Sequence, residues 1–184
     1  MLRAVTVFCG SSLGRDPRHG AAARALGAEL ARRGIALVYG GGRVGLMGVL
    51  ADAVFAAGGR VIGVIPGFLQ TRELLHPRIP PPDLFVTDSL FRRKEIMFKR
   101  ADAFAALPGG LGTLDELLEV VTLSQLGRHS KPCGLLDPLG YFDPFLAQLR
   151  RAVDEAFIDP HHLARLNVAP DPSSLLDALS RPPP

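Results

Sequence analysis

Short apolar runs alternate along this chain with longer segments whose apolar positions recur every three or four residues, the pattern of buried strands between amphipathic helices. Ala4–Phe8 is the first such run. A helix follows from about Pro17 to Arg33, and Ile35–Tyr39 is a second strand that ends in three glycines. The alternation continues with a helix over Gly45–Ala57 closed by Gly58-Gly59, a strand over Val61–Ile65 stopped by Pro66, and a strand over Leu84–Thr87 after a proline-rich loop. Ser89–Arg100 then predicts a helix, Ala103–Leu107 a strand, Thr113–Leu126 a helix and Pro132–Leu136 a strand. Phe142–Phe157 predicts an amphipathic helix with Phe142, Phe145 and Phe157 on its buried stripe. A short strand near Leu166–Val168 and a last helix near Pro172–Leu179 complete the order.

Strands alternating with helices give a doubly wound, Rossmann-like α/β fold with a parallel sheet and right-handed crossovers. The strands are apolar throughout rather than alternating, which suits strands covered on both faces. Sheets of this kind bind ligands beyond the carboxyl ends of their strands. Candidate chemistry is therefore sought in five places: Cys9–Ser12, the glycine-rich Gly40–Gly45, the Pro66–Asp83 loop, the start of the Ser89 helix and Pro108–Thr113.

With 184 residues the chain fits one domain, over residues 1–180, with Arg181 to Pro184 as a frayed, disordered tail. An apolar fraction of 47% excludes a disordered chain. Cys9 and Cys133 lie far apart in apolar runs and build neither a disulfide framework nor a zinc site. The first residues do not read as a secretory signal, and no apolar stretch is long enough to span a bilayer, so a cytoplasmic protein without a membrane partner is expected. A net charge of +3 from scattered arginines permits an anionic ligand. With no Trp and only two Tyr there is no aromatic–basic interleaving for stacking bases, which argues against a nucleic-acid partner. His161-His162 are adjacent and so directed apart on either a helix or a strand, which reads as a solvated turn rather than a metal site; no metal is expected.

Gly40-Gly41-Gly42-Arg43-Val44-Gly45 formally matches the dinucleotide fingerprint G-x-G-x-x-G. It follows the second strand rather than the first, however, and no acidic residue lies about twenty residues on to hold a ribose diol. A second loop, Pro108-Gly109-Gly110-Leu111-Gly112-Thr113, ends a strand and opens a helix. Its backbone N–H groups and the helix N-terminus form a plausible phosphate cradle. No lysine precedes Thr113, so it is not a triphosphate-hydrolysing P-loop. Gly109, Gly110, Leu111, Gly112 and Thr113 are candidate substrate contacts, as are Ser11, Gly41 and Gly42 at the ends of the first two strands.

Thr113-Leu114-Asp115-Glu116 reads as a capping box, which would explain Glu116 by local helix chemistry alone. Against that, a carboxylate beside a phosphate cradle is what cleavage of a nucleotide's glycosidic bond requires: it stabilises the oxocarbenium-like ribose and orients or deprotonates a water. Arg93 can complement it by gripping phosphate or sugar bidentately or by steadying the carboxylate, and Lys94 adds a further positive charge.

Taken together, PGGLGTLDE, VYGGGRVGLMG, CGSS and SLFRRK resemble the Lonely Guy family of cytokinin riboside 5′-monophosphate phosphoribohydrolases, whose members were often labelled lysine decarboxylases. The resemblance runs from Val5 to about Ala178, and the signature P-G-G-x-G-T-x-x-E falls on Pro108, Gly109, Gly110, Gly112, Thr113 and Glu116. It implies a homodimer with active sites near the interface and hydrolysis of a purine nucleoside 5′-monophosphate, such as AMP or isopentenyladenosine monophosphate, to free base and ribose 5-phosphate without a cofactor. It also implies Arg93 and Glu116 as the catalytic pair, with Lys94, Gly110–Thr113, Thr122 and Glu73 lining the nucleotide site. The chain departs from the family at Leu90-Phe91, where many members have Met-His, and at Leu123, where they have Trp.

The decarboxylase label fails on chemistry. A pyridoxal enzyme needs a Schiff-base lysine in a cofactor site, and Lys94, Lys99 and Lys131 fall in no such arrangement. An enzyme and a non-catalytic nucleotide carrier on the same fold are the two classes that the Arg93 and Glu116 pair must separate.

Overall fold

The computed structural model describes residues 2–71 and 74–181. Along them run β1 (Ala4–Phe8), α1 (Pro17–Arg32), β2 (Ala36–Tyr39), α2 (Gly45–Ala56), β3 (Val61–Pro66), β4 (Leu84–Thr87), α3 (Leu90–Arg100) and β5 (Ala103–Ala106). The chain continues through α4 (Leu111–Gln125), β6 (Cys133–Leu136), α5 (Asp143–Asp154), α6 (Pro160–Ala164), β7 (Leu166–Ala169) and α7 (Pro172–Leu179). Polar caps set several starts: the side chains of Asp16, Ser89 and Asp171 accept hydrogen bonds from Arg18, Arg92 and Ser174 N–H groups, and Pro17 and Pro172 occupy first-turn positions where no N–H is needed.

The strands form one parallel sheet in the order β4-β3-β2-β1-β5-β6-β7. The chain winds outward from β1 to β4, then crosses back to place β5 on the other side of β1. The β1/β5 boundary is thus the topological switch point, where a crevice opens at the carboxyl edge.

Successive strand residues feed two cores. Val5 and Val7 join Leu26, Leu30, Leu50, Val54 and Leu176 under α1, α2 and α7. Phe8, Phe104 and Ala106 join Met97, Leu117, Val120 and Leu146 under α3, α4 and α5. The central strands are buried on both faces as expected; the edge strands are not, and Val86 on β4 and Val168 on β7 are about half exposed.

Two expectations are corrected. Phe157 lies beyond the end of α5 and is 81% exposed, so only Phe142 of the three aromatics is fully buried. The turn expected around His161-His162 is the one-turn helix α6, capped by Asp159, and it brings the two rings to 3.7 Å between centroids instead of parting them. Of the expected tail only Arg181 is among the described residues.

The α1/α2 contact depends on Gly27. A Cβ there would meet the Leu50 carbonyl oxygen at 2.6 Å and the Ala53 Cβ at 2.8 Å. Gly27→Ala gains about 1 kcal/mol of helix propensity, but the helices must separate, at about 1–3 kcal/mol. A net loss of stability is expected in urea unfolding, and an unchanged or raised midpoint would show that the helices part freely.

Two histidines are locked in the same neutral form. His76 Nδ1 accepts from the Arg78 N–H while Nε2–H donates to Asp52; His129 Nδ1 accepts from the Lys131 N–H while Nε2–H donates to the Val120 carbonyl. Burial holds both imidazoles below their ordinary value. The unfolded chain therefore binds more protons than the fold once the pH drops below about 6.5. Stability is expected to be level above that pH and to fall from there toward pH 5, in thermal melts at fixed ionic strength. His129→Asn should flatten the fall; an unchanged slope would show that other groups cause it.

Candidate active site

Three loops meet at the switch-point crevice. Cys9, Gly10 and Ser11 follow β1, Gly40 follows β2, and Gly110 to Thr113 open α4. With Met47, Arg93 and Glu116 they line a polar cavity of about 190 Å³. The Pro108-Gly109 segment is held in place by the Gly10 N–H, which donates to the Pro108 carbonyl at 3.0 Å, and by the Tyr141 hydroxyl, which donates to the Gly109 carbonyl at 2.5 Å. Glycine is required at 109, where a Cβ would fall 2.0 Å from Thr113 Oγ1.

α4 begins two residues earlier than the sequence indicates. Gly110 is the cap residue, its carbonyl accepting from the Leu114 N–H, and no side chain caps the helix. Thr113 is inside the first turn and 4% exposed, so Thr113 and Glu116 do not form a capping box. The first turn of α4 thus opens toward the crevice without a side-chain cap, at the end of the helix where the dipole is positive. Glu116 instead turns to the crevice and lines the polar cavity together with a neighbouring one.

Arg93 is buried on α3 together with Met97, while its charged neighbours Arg92 and Glu95 are exposed. Its Nε donates to the Val64 carbonyl and its Nη2 to the Gly40 carbonyl, each at 3.1 Å. The Nε edge of the guanidinium is fixed to carbonyls of β3 and of the glycine that follows β2, which braces Arg93 in the crevice wall. Gly40 is small for this reason: a Cβ would lie 2.0 Å from Nη2.

Lys94 lines the neighbouring cavity, of about 240 Å³, with Phe8, Phe91, Phe98, Val120, Leu123 and Glu116. Its ammonium sits between Glu119 at 2.8 Å and Asp115 at 3.0 Å. Burial alone would depress it, but these carboxylates outweigh burial and raise its pKa. Lys94 thus ties α3, carrying Arg93, to α4, carrying Glu116. Lys94→Met is expected to cost under about 1 kcal/mol of stability, the pair being partly exposed, yet to lower kcat roughly tenfold by loosening the geometry. Separate kcat and KM values check this, and a change in KM alone would mean that Lys94 only binds.

Other expected contacts lie elsewhere. Gly41 and Gly42 are buried away from the cavity: Gly41 has φ +77° and accepts at its carbonyl from the His76 N–H, and Gly42 bridges Leu75. They anchor the following loop. Thr122 is exposed and lines neither cavity; it stands roughly 120° around α4 from Glu116, whereas Glu119, Val120 and Leu123 share the Glu116 face. Glu73 lies outside the described residues. A third cavity of about 370 Å³ adjoins Gly10, Ser11 and Gly110 and adds Arg15, His19 and Tyr141. Sequence spacing gave no signal for these three, since only the closing of the β1, β5 and β6 loops brings them together.

Strand order, crevice and uncapped helix N-terminus define a doubly wound α/β protein with a polar crevice at its switch point. Residues 47–179 match the family described as "possible lysine decarboxylase". The chain is 47% identical to a probable cytokinin riboside 5′-monophosphate phosphoribohydrolase of Oryza sativa subsp. japonica, LOGL5, over 99% of this chain and 74% of that protein. It is also 47% identical to the phosphoribohydrolase LOG7 of Arabidopsis thaliana, over 95% of this chain and 80% of that one. The chain therefore belongs to the Lonely Guy family of cytokinin riboside 5′-monophosphate phosphoribohydrolases. Among solved structures, the molybdenum cofactor binding protein of Rippkaea orientalis superposes with a TM-score of 0.72 at 22% identity, over 98% of this chain and 96% of that one. The Moco carrier protein of Chlamydomonas reinhardtii gives 0.72 at 21%, with the same coverage. These two likenesses are of fold.

Proposed function

We propose that this protein hydrolyses the N-glycosidic bond of a purine nucleoside 5′-monophosphate, releasing free base and ribose 5-phosphate. The observation that carries the reading is the convergence of Arg93, Glu116 and the uncapped start of α4 on one cavity. The phosphate is held by the N–H groups of Gly110 to Thr113, with Gly109 and Ser11 beside it. The C1′–N bond breaks with its electron pair passing to the base, and the Glu116 carboxylate stabilises the oxocarbenium-like sugar. Glu116 also orients the water whose hydroxyl adds to C1′, while a proton goes to the departing base. Arg93, braced by the Gly40 and Val64 carbonyls, fixes the cavity wall opposite α4. The base lies in the apolar cavity between Phe91 and Leu123, with Lys94 at its rim.

The proposal extends to a homodimer. Phe91, Leu111, Leu118 and Leu126, on α3 and around α4, are between 42% and 87% exposed, an apolar surface suited to a second copy. Thr122, on the outer side of α4, would join a nucleotide site only across such a boundary. A cytoplasmic location is supported by two buried thiols, of which Cys133 is pushed up to about 12 by burial.

The test is incubation with AMP, isopentenyladenosine monophosphate and the corresponding nucleosides, with base and ribose 5-phosphate followed by chromatography. Release from the monophosphates alone is the expected result. Tight binding without release would make the protein a carrier.

A further inference from the structure

At the opposite, amino edge of the sheet, where β6 and β7 begin at Cys133 and Leu166, lies a small cavity of about 20 Å³. It has room for one particle of water or halide size. Lys131, His162 and Arg165 line it together with Ser124, Gln125 and Cys133, and no acidic residue is among its walls. His162 Nδ1 and Arg165 Nε are both shielded from solvent and take no hydrogen-bond partner among the described residues. The Lys131 ammonium donates to the Phe98 carbonyl at 2.6 Å and lies over the Phe98 ring at 4.4 Å, with Asp102 within electrostatic reach, so Arg165 is the cation that the cavity leaves to a ligand. A shielded guanidinium N–H such as that of Arg165 is costly unless an acceptor joins it. Water would satisfy the Arg165 N–H but bring no charge to a wall that holds Arg165 and no acidic residue; a monovalent anion brings both, and phosphate is too large for the space.

We infer that this cavity is a binding site for a single chloride-sized inorganic anion, separate from the nucleotide crevice. The site joins the last turn of α4, through Ser124 and Gln125, to α6 and the start of β6. Chloride-35 NMR of the full chain tests it. Excess line broadening is expected with the unaltered protein, is expected to persist when saturating ribose 5-phosphate occupies the crevice, and is expected to vanish in Arg165→Gln. Broadening removed by ribose 5-phosphate but retained in Arg165→Gln would place the chloride in the crevice and overturn the inference, as would no broadening at all. Should Arg165→Gln fail to fold, bromide-soaked crystals of the unaltered protein decide. An anomalous peak among Lys131, His162 and Arg165 is expected, and none at saturating bromide would show that the cavity holds only water.

Discussion

Glu116→Gln is expected to lose on the order of 10²–10⁴-fold in kcat while still binding the nucleotide. The substitution keeps shape and removes charge, and charge is what a developing oxocarbenium needs. Because the cap of α4 is Gly110 and not Thr113, the helix does not depend on Glu116 for its start, and the thermal midpoint should stay near that of the parent. Single-turnover base release, ligand titration and a melting curve decide together. A variant that melts early but keeps full activity per folded molecule would show that Glu116 serves the fold.

Arg93→Ala is expected to fail in both respects. The side chain is 7% exposed and gives two hydrogen bonds to the ends of β2 and β3. Its removal leaves the Gly40 and Val64 carbonyls buried without those donors, at a cost of roughly 2–4 kcal/mol. Nucleotide binding should weaken along with stability, as the crevice loses one wall. Arg93→Lys should not restore either, because a lysine cannot span two carbonyls with a rigid fork. Chemical denaturation and equilibrium titration measure the two losses, and a stable variant that binds normally would sink the bracing role.

The strand order and the crevice were legible because central strands buried on both faces read as plain apolar runs, and glycine clusters mark their ends. Arg93 and Glu116 were candidates on chemistry, as a carboxylate beside a glycine-rich helix start with an arginine to complement it, and motif resemblance assigned them as the catalytic pair; spacing alone read Glu116 as part of a capping box. The capping-box reading fails for a physical reason. Pattern does not fix the rotation or start of a helix: α4 begins at Leu111, which moves Thr113 into the turn, points Glu116 at the crevice and carries Thr122 away from it. Gly41 and Gly42 misled in the same way, since a glycine demanded by a tight loop looks the same in sequence as one that cradles a ligand. Nor does spacing reveal that the Lys94 charge is already met by Asp115 and Glu119 on the next helix.

Glu116 stands in the partition between the polar cavity and the apolar one. Under the proposed function, bond scission belongs to one chamber and choice of base to the other, with a single shared residue. Substitutions at Phe91 or Leu123 are therefore expected to shift which bases are accepted while leaving the partition, and the scission it serves, in place.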